Sequence, residues 1–203
     1  IEYVEDATNI LLENNLKPLI IGGEHSITGG VIKSLITKYP DLIMIQLDAH
    51  ADLRDKWLGN KYSHACTMKR CLEILPSKKI LQIGIRSGTK SEFFEMKNSK
   101  RLVHHTLGEK AKHLEKALKG LKGKPIYLTF DLDWFDPSIM PGTGTPEPGG
   151  YFWKDFAEIV EVIKSHNLIG ADVVELAPKL DHSGISSILA AKVVRSLIML
   201  LDK

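Results

Sequence analysis

Hydrophobic and polar positions alternate between two patterns along the chain. Five short apolar runs, rich in Leu and β-branched residues, show little polar alternation: Leu19–Gly23, Leu42–Asp48, Ile80–Arg86, Ile126–Asp131 and Leu168–Val174. Runs of this kind read as strands buried on both faces. Between them, apolar residues recur at helical spacing over Val4–Asn14, Ile27–Lys38, Cys66–Leu75, Lys110–Leu121, Lys154–His166 and Ile185–Leu201. The last helix is apolar at most positions, so it packs against the sheet with Lys192 and Arg195 on its wet side. Strand–helix alternation predicts an α/β chain with a mostly parallel sheet. Pro137–Gly150 holds four Pro and four Gly, too many for a regular element. Loops that long are ordinarily functional or disordered, so it reads as an ordered loop or a lid.

Composition narrows the class. The chain has 203 residues, 43% hydrophobic and 26% charged, which is ordinary globular usage and enough length for one domain with a full core. A net charge of +2 argues against a nucleic-acid partner. The longest uninterrupted apolar run, Leu197–Leu201, is too short to span a bilayer. Cys66 and Cys71 are too few for a disulfide framework and suit reduced thiols in the cytoplasm. The chain opens at Ile1 without a signal-peptide pattern, so the numbering is expected to begin inside a longer natural chain. No phosphate-binding loop, dinucleotide fingerprint or nucleophilic-serine motif is present. His104 and His105 read as surface residues, and His182 as part of a turn before the last helix.

Chemistry collects after the strands, where open parallel sheets bind their ligands. Gly22-Gly23-Glu24-His25-Ser26 follows the first run, and Asp48-Ala49-His50-Ala51-Asp52 the second. Asp131-Leu132-Asp133 follows the fourth, and Glu175 the fifth. Alternate residues of an extended segment point to one side, so Asp48, His50 and Asp52 are expected to face one ligand, as are Asp131 and Asp133. An Asp-x-His-x-Asp pattern is expected by chance only about 0.03 times in a chain of this composition. Taken singly, each acid has a plain structural explanation, and Asp136 before Pro137 reads as a turn residue. As a set, acids on one sheet edge repel one another unless a cation lies among them. The candidate ligands are His25, Asp48, His50, Asp52, Asp131 and Asp133. An oxygen-rich set with imidazole and no thiolate suits manganese, iron or magnesium. Six ligands are too many for one catalytic ion with an open position, so they suit two ions that share carboxylates.

At these residues the chain resembles the ureohydrolase family of arginases and agmatinases. The matching blocks are Gly22–Ser26, Asp48–Asp52, Ser63-His64-Ala65, Phe130–Asp133 with Asp136-Pro137, Pro141–Gly150 and Asp172–Glu175. The resemblance implies a three-layer α/β/α sandwich with a mostly parallel central sheet, and two Mn²⁺ per chain. His25, Asp48, Asp52 and Asp131 would hold one ion, and Asp48, His50, Asp131 and Asp133 the other, with Asp48 and Asp131 bridging. A metal-bridging hydroxide would attack the guanidinium carbon. Glu175 would pair with the guanidinium, Asp133 would relay a proton, and His64 would serve as general acid at the substrate. Glu24 stands where many members have Asp.

Among members, the D-A-H-A-D-L-R-D and P-G-T-G-T-P-E-P-G-G blocks resemble agmatinase, which cleaves agmatine to putrescine and urea. The alternatives are another guanidine (guanidinobutyrate or arginine), a formimino compound, or an incomplete, non-catalytic product. The resemblance also implies a small-molecule guanidine substrate, no nucleic acid or membrane partner, a homo-oligomer (trimer or hexamer) and a cytoplasmic location. Residues 1–203 are expected to form a single ureohydrolase domain without the family's N-terminal segment.

Overall fold

Aliphatic side chains are buried on both faces of the strands, as a parallel sheet covered by helices requires. The strands are β1 (Leu19–Ile21), β2 (Ile43–Leu47), β3 (Ile80–Ile83), β4 (Pro125–Asp131) and β5 (Asn167–Val174). The computed structural model describes residues 1–75, 80–99 and 110–202, with the main chain alone at 110 and 113. The sheet runs in the order β1-β5-β4-β2-β3, and every neighbouring pair is parallel. All five expected strands are found. The third ends at Ile83, short of Arg86, because the backbone turns to positive φ at Gly84.

The helices are α1 (Glu2–Glu13), α2 (Thr28–Lys38), α3 (Thr67–Ile74), α4 (Lys90–Asn98), α5 (Lys110–Leu118), α6 (Trp153–Ile163) and α7 (Ile185–Leu201). Two apolar cores sort them into layers. On one face Leu12, Val31, Leu35, Met68 and Met96 from α1–α4 pack on Met44, Tyr127 and Ile169. On the other, Leu114, Leu118, Phe156, Ile159, Ile163, Val193 and Leu197 from α5–α7 pack on Ile43, Ile45, Leu128 and Phe130. The result is the three-layer α/β/α sandwich. In α6 the buried residues Phe156, Ile159 and Ile163 recur at i, i+3 and i+7, the stripe that fixes its inner face.

One helix is absent from the sequence reading. α4 buries only Glu92 and Met96 and leaves Phe93 and Phe94 exposed, so its apolar pattern is weak. Its start is set instead by a capping box. Thr89 Oγ1 accepts from the Glu92 N–H, and Glu92 Oε2 accepts from the Thr89 N–H, satisfying two otherwise unpaired donors. Cys66 and Cys71 are buried, free thiols. His104 and His105 lie outside the described residues.

Topology locates the crevice. From β2 the chain passes to β3 on one side, whereas from β4 it passes to β5 on the other. The connections therefore diverge between β2 and β4, and such a switch point opens a crevice at the carboxyl ends of the strands. Leu47 pairs with Phe130 in register, which brings Asp48 and Asp131 to the same level of that crevice.

Candidate active site

His25 opens a short 3₁₀ turn that leads from β1 into α2 and is fully buried. Its Nδ1 lies 3.2 Å from Asp48 Oδ2, 3.1 Å from Asp52 Oδ2 and 3.3 Å from Asp131 Oδ2. No single oxygen lies in line for a hydrogen bond, and this buried nitrogen has no hydrogen-bond partner. The opposite nitrogen, Nε2, lies 2.9 Å from Thr129 Oγ1. The Thr129 hydroxyl donates to Asp172 Oδ1 at 2.6 Å, so it accepts from His25, which puts the imidazole hydrogen on Nε2. That leaves Nδ1, amid three carboxylate oxygens, as the nitrogen whose lone pair would meet a cation. That donor set fits a hard divalent cation.

A second group shares Asp48. His50 Nδ1 lies 2.8 Å from Asp133 Oδ2 and 3.7 Å from Asp48 Oδ1. His25, Asp48 and Asp52 on one side, and Asp48, His50 and Asp133 on the other, each converge closely enough to hold a metal ion. Asp131 points one oxygen at His25, while its other accepts from the Asp133 N–H at 2.9 Å.

The backbone achieves this differently from the extended alternation expected of the sequence. β2 stops at Leu47, and Asp52 takes a left-handed φ of 52°. Asp48 and Asp52 consequently turn toward His25, while His50 faces Asp133. Residues 132–134 form a 3₁₀ turn capped by Asp131, not an extended run. Asp136 accepts from the N–H groups of Ser138, Gly149 and Gly150, a turn role that closes the Pro137–Gly150 loop on itself.

Both groups border a cavity of about 570 Å³, whose lining includes His50, Asp52, Asp131, His64, Glu175 and Glu147. Glu175 sits just after β5 with φ of 65°, and its Oε1 accepts from the His25 N–H at 2.7 Å. The His64 side chain is 44% exposed, and its Nδ1 lies 3.2 Å from Glu24 Oε1. Glu24 also accepts from the His64 backbone N–H, so it fixes both ring and main chain. The Arg54 guanidinium stacks over Trp57 at 4.2 Å on the same cavity wall.

Burial and mutual repulsion set the electrostatics. Burial, together with the Asp48 charge, pushes Asp52 up to about 7. Burial and the charges of Asp133 and Asp48 raise Asp131 well above the carboxylate range, and Asp133 rises through burial and Asp48. For His50, burial opposes the proton, but Asp133 and Asp48 prevail and raise it to about 11. His25 rises in the same way against burial, through Asp131, Asp48 and Asp52. Burial opposes ionisation of Asp48, but the neighbouring His25 and His50 imidazoles prevail, and Asp48 alone in the cluster is held low. Without an ion, the cluster therefore balances its charge with protons, and a divalent cation displaces them.

The arginase-family sequence model matches residues 1–200. The chain belongs to the arginase family. An agmatinase from Bacillus subtilis (strain 168) is 37% identical over 201 residues, covering 98% of this chain and 69% of that protein. A guanidinobutyrase from Pseudomonas aeruginosa is 33% identical over 212 residues, covering 99% of this chain and 66% of that one. The crystal structure of a candidate agmatinase from Clostridium difficile superimposes with a TM-score of 0.91 at 41% identity, covering 98% of this chain and 72% of that one. Membership in the arginase family makes the chain a ureohydrolase, an enzyme of amidino groups. Among the described residues no helix is long and apolar enough to cross a membrane.

Several residues of the site escape a search of strand ends for acids and histidines. Thr129 and Asp172 lie inside β4 and β5 and act from behind His25. Arg86 and Ser87 follow β3 at the same sheet edge. Only the strand-end position of Arg86 and Ser87 is visible in the sequence as a signal.

Proposed function

We propose that this arginase-family enzyme hydrolyses the guanidinium group of agmatine to putrescine and urea, using two Mn²⁺ ions. The observation that carries the reading is the buried His25 Nδ1, facing oxygens of Asp48, Asp52 and Asp131 without a hydrogen-bond partner. His25, Asp48, Asp52 and Asp131 would hold one ion, and Asp48, His50, Asp131 and Asp133 the other, with Asp48 and Asp131 serving both. Such a metal pair lowers the pKa of water, so hydroxide is available near neutral pH.

The protein's own groups do the rest. Glu175 pairs with the substrate guanidinium, and its left-handed backbone aims the carboxylate over the crevice. The hydroxide would add to the guanidinium carbon and the C–N bond to the amine would break, with Asp133 relaying a proton from the nucleophile to the leaving nitrogen. His64, held by Glu24 at the cavity mouth, passes a proton to the leaving amine. Agmatine is favoured over the other guanidines by the 37% identity to an agmatinase and by the Asp48–Asp55 and Pro141–Gly150 blocks. The family resemblance also supports a cytoplasmic homo-oligomer, a trimer or hexamer. Urea release by manganese-loaded and metal-stripped protein tests the reading.

A further inference from the structure

The loop between β4 and α6 reaches back over the strand ends, where two consecutive residues after β3 fasten it. Arg86 Nη2 donates to the carbonyls of Asp133 at 2.7 Å, Phe135 at 3.3 Å and Glu147 at 2.8 Å. Its Nε donates to the carbonyl of Pro148 at 3.2 Å. Ser87 Oγ donates to Glu147 Oε1 at 2.7 Å. Both the backbone and the carboxylate of Glu147 are thereby fixed in space.

The same Glu147 Oε1 lies 3.6 Å from His50 Nε2. On the other side of the ring, Nδ1 faces Asp133 and Asp48. An imidazole binds a cation through the nitrogen that carries no hydrogen, and the partner of the other nitrogen decides which one that is. Asp133 is the nearer carboxylate, 2.8 Å from Nδ1, but once a cation takes Nδ1 the carboxylate facing Nε2 is the one that keeps the ring's remaining hydrogen. His25 has a tighter backing, a 2.9 Å contact from Nε2 to Thr129 with Asp172 behind it. The difference is that the His25 backing is sealed in the core, whereas Glu147 stands on a loop that Arg86 and Ser87 must hold.

We infer that Glu147 is a positioning residue that holds His50 with its hydrogen on Nε2, so that Nδ1 is presented to the cation of the Asp48–His50–Asp133 group. The inference rests on the metal reading of that group. It gives the Pro141–Gly150 block a role at the centre and not only at the cavity rim.

The test is a Mn²⁺ titration of metal-stripped protein against a competing chelator. Wild type should take up two equivalents. Glu147→Ala should weaken one equivalent by about 10–100-fold, the usual cost of losing the partner behind a ligand, and leave the other unchanged. Glu147→Gln, whose amide oxygen can still face Nε2–H, should recover most of the loss. Ser87→Ala should weaken the same equivalent by less. At saturating Mn²⁺, KM for the guanidine should match wild type. Unchanged affinity for both equivalents in Glu147→Ala would overturn the inference, and a raised KM beside it would assign Glu147 to the substrate instead. Equal loss of both equivalents would also overturn it. A wild-type protein that takes up no ion would sink the metal reading and this inference together. Two bound ions without urea from any guanidine would sink the substrate reading alone, and the titration would still decide on Glu147.

Discussion

His25 Nε2 and Thr129 Oγ1 lie 2.9 Å apart in the buried interior beneath the strand ends. Thr129 passes its own hydrogen to Asp172, which also accepts from Thr28 at 2.8 Å and Tyr127 at 2.7 Å. Three hydroxyls thus hold one buried carboxylate, and through it they orient the imidazole. Thr129→Val removes the acceptor for His25 and one donor to Asp172 while nearly keeping shape. It should cost about 1–3 kcal/mol of stability and weaken Mn²⁺ binding by about 10–100-fold. Chemical denaturation and metal titration check both, and wild-type values would show that the hydroxyl does not hold the ring.

Ligand and substrate roles separate by mutation. Asp131→Ala should lose both metal and turnover. Glu175→Gln keeps an acceptor for the His25 N–H but removes the charge, so metal content should stay at wild type. KM should rise by about 10–100-fold, as expected when a charge-assisted contact is lost. Loss of metal in Glu175→Gln would move that residue into the metal site.

The cluster makes the metal-free protein sensitive to pH. Asp52 binds its proton more tightly when folded, near 7, than when unfolded, near 3.9. Its burial therefore opposes folding fully above pH 7, and that penalty fades as pH falls toward the unfolded value. His50, raised to about 11, contributes stability that is complete below its unfolded value of about 6.5 and is lost as pH rises toward 11. Both effects point the same way. The metal-stripped protein should melt at a higher temperature at pH 6 than at pH 9, and the difference should shrink with Mn²⁺ bound. Calorimetry across that range checks this, and a stripped protein more stable at pH 9 would contradict it.

Gly84 links the core to the site. Its φ is 102°, and a Cβ there would stand 2.9 Å from the Asp48 carbonyl oxygen and closer still to the Trp134 indole. Trp134 is fully buried and stacks on Tyr151 at 4.4 Å. Gly84→Ala combines overpacking, about 1–3 kcal/mol, with left-handed strain. The melting temperature should fall by about 5–10 °C, and an unchanged value would show that the indole can move aside.

Strand order aside, the fold was largely legible because the five buried runs lack alternation and the helices between them carry clear apolar stripes. α4 was not, because its start depends on the Thr89–Glu92 capping box and its inner face offers only Glu92 and Met96. The polar groups that meet at the crevice were visible as residues after strands. Their partition was not, since it follows from the positive φ at Asp52 and from the turn after Asp131. Thr129 and Asp172 sit inside apolar runs, where a polar residue gives no local sign of its partner. Glu147 lies in a block dominated by Gly and Pro, and its neighbour His50 is far away in sequence.

Metal-dependent cleavage of a guanidine is read most simply as urea release from agmatine, arginine and 4-guanidinobutyrate by manganese-loaded and metal-stripped protein. Urea should form from agmatine, cease on stripping and return with Mn²⁺. Urea from another of the three would keep the mechanism and change the substrate. No urea from any of them with two ions bound, or equal release after stripping, would show that the cluster does not drive guanidine hydrolysis.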